Sequence, residues 1–127
     1  MRNDKENIIV NLSFNSALAI IDFTEQIKSL KRFSLADQLF RSGTSIGANV
    51  REAQNDESQK DFIHKMKIAA KEADETQYWL ELCQDSDHLP SNPQLIKDIQ
   101  SIIKVLSKII ASTKRNLNLQ ISKSTNQ

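Results

Sequence analysis

The sequence predicts an all-α protein built from four helices, and two observations lead to that prediction. The 127 residues include only two glycines and two prolines, which leaves little of the turn chemistry that a β fold needs. Apolar residues between positions 62 and 83 recur at alternating steps of four and three, which is the spacing of a helix packed along its length against another helix. A chain of this length forms one domain with one hydrophobic core, here taken as residues 1–127.

The first helix is predicted over residues 14–31, with Ser13 or Asn15 as its N-cap. Its apolar residues form a stripe that Phe14, Ala17 and Ile21 widen to more than half of the circumference. A surface helix of a single domain needs a narrower stripe, of roughly 100°. We therefore expect something besides the intramolecular core to cover part of this helix.

The second helix is predicted over residues 35–54, with a capping pattern formed by Ser34 and Asp37. Small residues crowd its centre, where Gly43 and Gly47 lie one turn apart on the same face. Each glycine inside a helix costs about 1 kcal/mol relative to alanine, so the pair predicts a face that another backbone approaches closely. A phosphate-binding loop is the alternative interpretation, but the Gly-Lys-Ser/Thr ending of such loops is absent.

The third helix is predicted over residues 58–84, with Ser58 as its N-cap and Asp61 completing the capping pattern. The core-facing seam comprises Phe62, Met66, Ala69, Ala73, Thr76, Leu80 and Cys83. A second row, about a third of a turn away, contains Ile68, Trp79 and Leu82. Two rows predict two sets of neighbours, and we assign the second row to an interface between copies of the chain.

The fourth helix is predicted over residues 93–118, with Asn92 as N-cap and Pro93 at the first helical position, where a missing N–H costs nothing. Its apolar arc spans roughly half of the helix, as a packed helix requires. Residues 119–127 are rich in serine, asparagine and glutamine and are predicted to be a disordered tail.

Basic residues are concentrated in the last quarter of the chain. The net charge is only +1, yet the segment from Gln94 to Gln127 has six lysines and arginines and a single acid. Four of these cations recur at steps of seven, four and seven on one side of the helix: Lys97, Lys104, Lys108 and Arg115. This stripe is either an ordinary solvated face or a track for phosphates. The second interpretation predicts binding of RNA or another nucleic acid.

Catalytic and metal-binding patterns are absent from the sequence. His64 and His88 fall on different elements, and the spacing of Asp61 and His64 resembles half of a di-iron site without its other carboxylates. The serines and threonines have no histidine and acid at a recognisable spacing. We predict a protein that is not an enzyme and needs no cofactor and no metal. No membrane span or signal peptide is apparent, which predicts a cytoplasmic protein.

Two sequence segments carry a family resemblance. Residues 41–54 read Arg-Ser-Gly-Thr-Ser-Ile-Gly-Ala-Asn-Val-Arg-Glu-Ala-Gln, and residues 75–80 read Glu-Thr-Gln-Tyr-Trp-Leu. Over about residues 14–113 the chain resembles the bacterial four-helix-bundle proteins of the 23S rRNA intervening-sequence protein family. The resemblance implies an antiparallel, up-down-up-down bundle that assembles into a ring, typically a homopentamer. The accessory proteins of diversity-generating retroelements form a related branch of these proteins. The resemblance to that branch implies that the partner is structured RNA or a nucleic-acid-handling protein.

The resemblance also suggests roles for polar residues of the second helix. Asn49 and Glu52 are interpreted, like the two glycines, as structural residues that fix helix packing through hydrogen bonds or ion pairs. Arg41 and Arg51 are the positive charges of this segment and the predicted RNA contacts near it. The alternative to nucleic-acid binding is a scaffold that holds a protein partner through the second row and the ring surface.

Overall fold

The computed structural model describes residues 7–125, which form four α-helices joined by short connections. The helices are α1 (Ile8–Ser29), α2 (Phe33–Ala53), α3 (Gln59–Asp85) and α4 (Pro93–Thr125). α2 and α4 each pack against both α1 and α3, so the four helices surround one core. Because the connections are short, consecutive helices run antiparallel. The described part of the chain is therefore an all-α, up-down-up-down four-helix bundle, as predicted.

α1 begins at Ile8, well before the predicted start at residue 14. Its N-cap is Asn7, whose side-chain oxygen accepts a hydrogen bond from the backbone N–H of Val10 at 3.3 Å. Ser13 lies inside the helix, where its hydroxyl donates to the carbonyl of Ile9 at 2.7 Å. The prediction of Ser13 or Asn15 as the cap was wrong, because a serine inside a helix can bond to its own helix as readily as it caps one.

α2 begins at Phe33, so the predicted cap at Ser34 was also wrong. The cap residue is Arg32, which makes no side-chain capping bond. Lys31 adopts a left-handed backbone conformation with φ of 61° and reverses the chain. The next helix therefore starts at once, and Ser34 already lies within its first turn.

The starts of α3 and α4 agree with the sequence. The Ser58 hydroxyl accepts from the backbone N–H of Asp61 at 3.1 Å, and the Asn92 side chain accepts from that of Leu95 at 3.0 Å. The end of α4 does not agree, since the predicted tail over residues 119–127 is helical as far as Thr125 and the last two residues lie outside the described part. No glycine or proline follows Pro93 to stop this helix.

The core contains the predicted seam of α3 with one change. Met66, Ala69, Ala73, Thr76, Leu80 and Cys83 are buried as predicted. At the start of the helix the buried residue is Ile63, whereas Phe62 is only half-buried. Phe62 still packs against the core from its edge.

The two glycines of α2 face α1, where the helices approach closely. A Cβ on Gly43 would lie 2.7 Å from Cγ1 of Ile20, which is fully buried. A Cβ on Gly47 would lie 3.3 Å from the carbonyl oxygen of Ser13. On the other side of α2, the Ser42 hydroxyl lies 3.0 Å from that of Thr76 in the core. The close approach expected from the glycine pair is thus an α1–α2 contact.

By length and composition alone α1, with 22 mostly apolar residues, resembles a membrane-crossing helix. Core helices of globular bundles share that composition. In the structure α1 packs in the bundle through residues that include Ile20, Phe23 and Ile27, which are almost completely buried.

Candidate nucleic-acid interface and assembly surfaces

The predicted basic stripe lies on the outward side of α4. The opposite side of the helix is held in the core by buried residues that include Leu95, Ile99, Ile102 and Leu106. The α4 basic stripe, defined as Lys97, Lys104, Lys108 and Arg115, is therefore exposed at every position. Across residues 7–125 the ion pairs involve Lys28, Arg41 and Lys65, and none involves a cation of this stripe. The four charges share one face of α4, and no carboxylate within residues 7–125 forms an ion pair with them.

Arg41 lies away from the α4 basic stripe, on the outer side of the α2–α3 pair. Its guanidinium forms ion pairs with Glu72, at 3.1 Å, and with Glu75. The indole N–H of Trp79 donates to the same Glu75 carboxylate at 3.0 Å. Because a planar guanidinium suits two carboxylates at once, Arg41 links α2 to α3 and is already engaged.

Arg51 also lies apart from α4. Its guanidinium carbon is 5.8 Å from the centre of the Phe14 ring, which is a cation–π contact between α2 and α1. The six predicted nucleic-acid contacts are thus divided among three places, of which only the α4 basic stripe gathers several cations.

The polar residues of α2 contribute to local structure. The Asn49 amide donates to the carbonyl of Ser45 at 2.8 Å, within its own helix. A hydrogen bond of 3.0 Å from Lys65 to Asp56 is the main reason that the pKa of Lys65 is raised, and the negative charge of exposed Glu52 adds to the effect. Glu52 therefore acts on α3 through its charge.

The predicted interface row of α3 is only partly exposed. Ile68 is half-buried, and Trp79 packs against the core while its ring meets that of Tyr78 edge-on at 5.1 Å. Of the predicted row only Leu82 is open, with 43% of its surface exposed. Tyr78, which was not part of that prediction, is 56% exposed beside Trp79, so Leu82 and Tyr78 are the side chains available to a neighbour. We call Tyr78, Trp79 and Leu82 the α3 aromatic surface.

A larger apolar surface lies on α1. Phe14, Leu18 and Ile21 share one face at steps of four and three and are 50%, 50% and 37% exposed. Phe14 also lines a groove of 130 Å³ between α1 and α2, together with residues that include Ala17 and Ala48. The wide stripe seen in the sequence therefore remains uncovered in the single chain. We call Phe14, Leu18 and Ile21 the α1 apolar face.

The sequence analysis missed a second group of basic residues. Lys60, His64, Lys67 and Lys71 follow one another at steps of four, three and four along α3, and all four are exposed. The spacing of this α3 basic row places its members on one side of the helix, as the spacing of the α4 basic stripe does. The sequence could therefore have revealed the row. Lys67 interacts directly with Lys114 of α4, and this contact lowers the pKa of Lys114.

No cluster of three or more histidine, cysteine, aspartate or glutamate side chains within residues 7–125 could hold a metal ion. Cys83 is fully buried, and burial raises the pKa of its thiol, so this group is kept neutral inside the core. The chemistry that the described surface offers is charge and apolar contact.

Comparison with known proteins places the chain in a family. The sequence profile of the 23S rRNA-intervening sequence protein family matches residues 5–112. A similar solved structure is a protein of unknown function from the S23 ribosomal protein family of Bacteroides thetaiotaomicron VPI-5482, with 39% identity and a TM-score of 0.77. The similarity covers 81% of this chain and 98% of that one. No curated protein matches. The bundle of four helices and the extent of both matches show that the chain belongs to the 23S rRNA-intervening sequence protein family.

Proposed function

We propose that the protein is a cytoplasmic, non-enzymatic bundle that assembles with copies of itself and binds RNA through phosphates. The observation that carries this proposal is the α4 basic stripe, whose four cations are exposed together and lack carboxylate partners in the described chain. Uncompensated cations on one face attract a polyanion and release its counterions on binding. The family name connects these proteins with the 23S rRNA, which makes RNA the first nucleic acid to test.

Assembly would strengthen such binding, because each copy repeats the same stripe. The α1 apolar face and the α3 aromatic surface are different surfaces of one chain. If the α1 apolar face of each copy contacts the α3 aromatic surface of the next copy, the interface is heterologous. Heterologous interfaces generate a closed ring when the rotation between neighbouring copies adds up to a full turn. We propose a ring of this kind, and the family resemblance favours a homopentamer.

The test is an RNA-binding measurement at several salt concentrations with a structured RNA. Four phosphate contacts predict that log affinity falls with log salt at a slope of about −3. Replacing Lys104 and Lys108 by glutamate should abolish binding without unfolding the bundle, since both side chains are exposed. A matched control reverses Lys31 and Arg32, two exposed cations of the α1–α2 connection, and should retain most of the affinity.

A protein-binding scaffold is the second candidate function, favoured by the exposed α1 apolar face. Exposed Phe14 and Leu18 are what a hydrophobic partner surface would contact. If the parent protein shows no RNA binding at low salt, or if the Lys104→Glu/Lys108→Glu variant binds as well as the parent, the scaffold replaces the RNA-binding proposal.

A further inference from the structure

The α3 basic row and the α4 basic stripe lie on neighbouring antiparallel helices, and a groove lies between these two helices. Gln77 of α3 lines this groove together with Gln100, Ile103 and Lys104 of α4. Both helices rise by the same length per residue. Moving ten residues back from Gln77 along α3 and ten forward from Lys104 along α4 therefore brings Lys67 opposite Lys114.

Lys67 and Lys114 lie level with each other on the two helices, roughly 15 Å along from the lining of this groove, and form a pair of like charges. The direct contact with Lys67, together with its positive charge, lowers the pKa of Lys114, because a nearby positive charge disfavours the charged form of the Lys114 ammonium group. Neither lysine forms an ion pair with a carboxylate of the described chain. Two facing cations weaken a helix pair, so this contact is unfavourable to the free protein.

We propose that Lys67 and Lys114 together bind a single phosphate of a nucleic-acid strand whose backbone follows the α3–α4 groove. One anion between two ammonium groups replaces their repulsion by two attractive, charge-assisted hydrogen bonds. Packed helix axes lie about 8–10 Å apart, so one strand can be flanked by both rows of cations. The inference rests on the proposed RNA binding and adds a path for the strand and a particular phosphate contact.

The experiment compares the parent with a Lys67→Gln/Lys114→Gln variant. The ligands are a single-stranded RNA and an RNA hairpin of equal length, and affinity is measured by fluorescence anisotropy as salt is raised. Loss of one shared phosphate should reduce the salt slope by about 0.7 for the single strand or 0.9 for a duplex-like ligand. The free variant should unfold at a higher denaturant concentration than the parent, because the repulsion is gone. If the two lysines had only a structural role, the double variant would not show both a higher stability and a weaker RNA affinity.

The controls separate this inference from the broader proposal. Lys31→Gln/Arg32→Gln removes two exposed cations at the opposite end of the bundle and should retain the parent slope. Each single variant keeps one cation on the phosphate, so the loss in the double variant should exceed the sum of the two single losses.

Three results would overturn the shared contact. A slope reduced by twice the expected amount means two independent phosphates. An unchanged slope means that no strand follows this groove, although the α4 basic stripe still stands if Lys104→Glu/Lys108→Glu loses binding. An equal loss in the Lys31/Arg32 control means that net charge alone matters. A parent protein that binds neither RNA would defeat the proposed function itself.

Discussion

Single residues of α2 set how closely the first two helices pack. Gly43 lies against Ile20, a fully buried side chain. Gly47 lies against backbone of α1, but its Cβ would be in a tight contact and not in an overlap. The two glycines are therefore unequal, although their sequence spacing makes them look equivalent.

Replacing Gly43 by alanine should destabilise the bundle. The added Cβ would meet three atoms of Ile20 at 2.7–3.0 Å. We expect a net loss of about 1 to 2 kcal/mol in the free energy of unfolding, because the overpacking cost exceeds the helix propensity gained. Urea denaturation measures the change. Gly47→Ala is the matched control and should cost less.

A double-mutant cycle identifies the cause. In an Ile20→Ala background the three contacting atoms are absent, so Gly43→Ala should cost little there. If Gly43→Ala stabilises the protein that retains Ile20, the close packing of α1 on α2 described above is incorrect.

Helix starts show, at the same scale, what sequence patterns can and cannot specify. Ser58 was predicted correctly, because a polar turn precedes it and its hydroxyl has no competing helix before it. Ser13 was wrongly predicted as a cap, because its hydroxyl donates a hydrogen bond to the carbonyl of Ile9, one turn earlier in α1. A capping residue and an internal serine look alike in a sequence, and only the position of the preceding turn distinguishes them.

Among the helices, α4 differs in having an end that the core does not hold. Its fully buried residues stop at Leu106, while Ile109 and Ile110 are half-buried and the last turns are exposed. Leu119 and Ile121 have 60% and 48% of their surface exposed, so their apolar side chains bury little surface in the single chain. The end of α4 is therefore helical without being packed.

Removing residues 119–127 should leave the stability of the bundle almost unchanged. Exposed positions away from the core usually contribute within about 0.5 kcal/mol, so the urea midpoint of a chain ending at Asn118 should match that of the parent. A chain ending at Ser107 is the control, and it should lose stability because Ile109 and Ile110 pack against the core. A marked loss in the first variant would mean that the end of α4 has a packing partner.

The charges of α3 and α4 show why one cationic surface was predicted and the other was not. In α4 a single acid accompanies the cations, so a count along the chain finds them. In α3, acidic residues such as Asp61 and Asp74 offset the lysines in any such count. The meeting of Lys67 with Lys114 depends on helix pairing and register, which residue spacing within one helix does not give.

At the scale of the whole molecule, α1 has an apolar face that the other three helices leave partly exposed. Phe14 and Leu18 are each half exposed on one face, and Phe14 also lines the groove against α2. The wide apolar stripe of α1 was visible in the sequence. The sequence did not show which surface covers that stripe. Association of copies through this face is the assembly that we propose.

Leu18→Glu should convert the assembly to a folded monomer. A carboxylate placed on the α1 apolar face would have to be desolvated in the interface, yet Leu18 is exposed enough for the single chain to tolerate the change. Light scattering at micromolar concentration measures the mass, and circular dichroism verifies the helices.

Leu119→Glu is the control for Leu18→Glu, since it places the same charge at a residue that is 60% exposed on α4. It should leave the assembly intact. A parent protein that is monomeric at micromolar concentration, or a Leu18→Glu variant with the parent mass, would contradict the proposed assembly.

The contact between Arg41, Glu75 and Trp79 gives the molecule a built-in optical signal. The chain has one tryptophan, and its indole N–H is bound to a carboxylate that α2 holds in place through Arg41. Indole emission responds to local polarity and to the loss of such a hydrogen bond. Any event that separates α2 from α3 therefore changes the fluorescence of the unlabelled protein, and the pairing of these helices can be followed in real time without an attached dye.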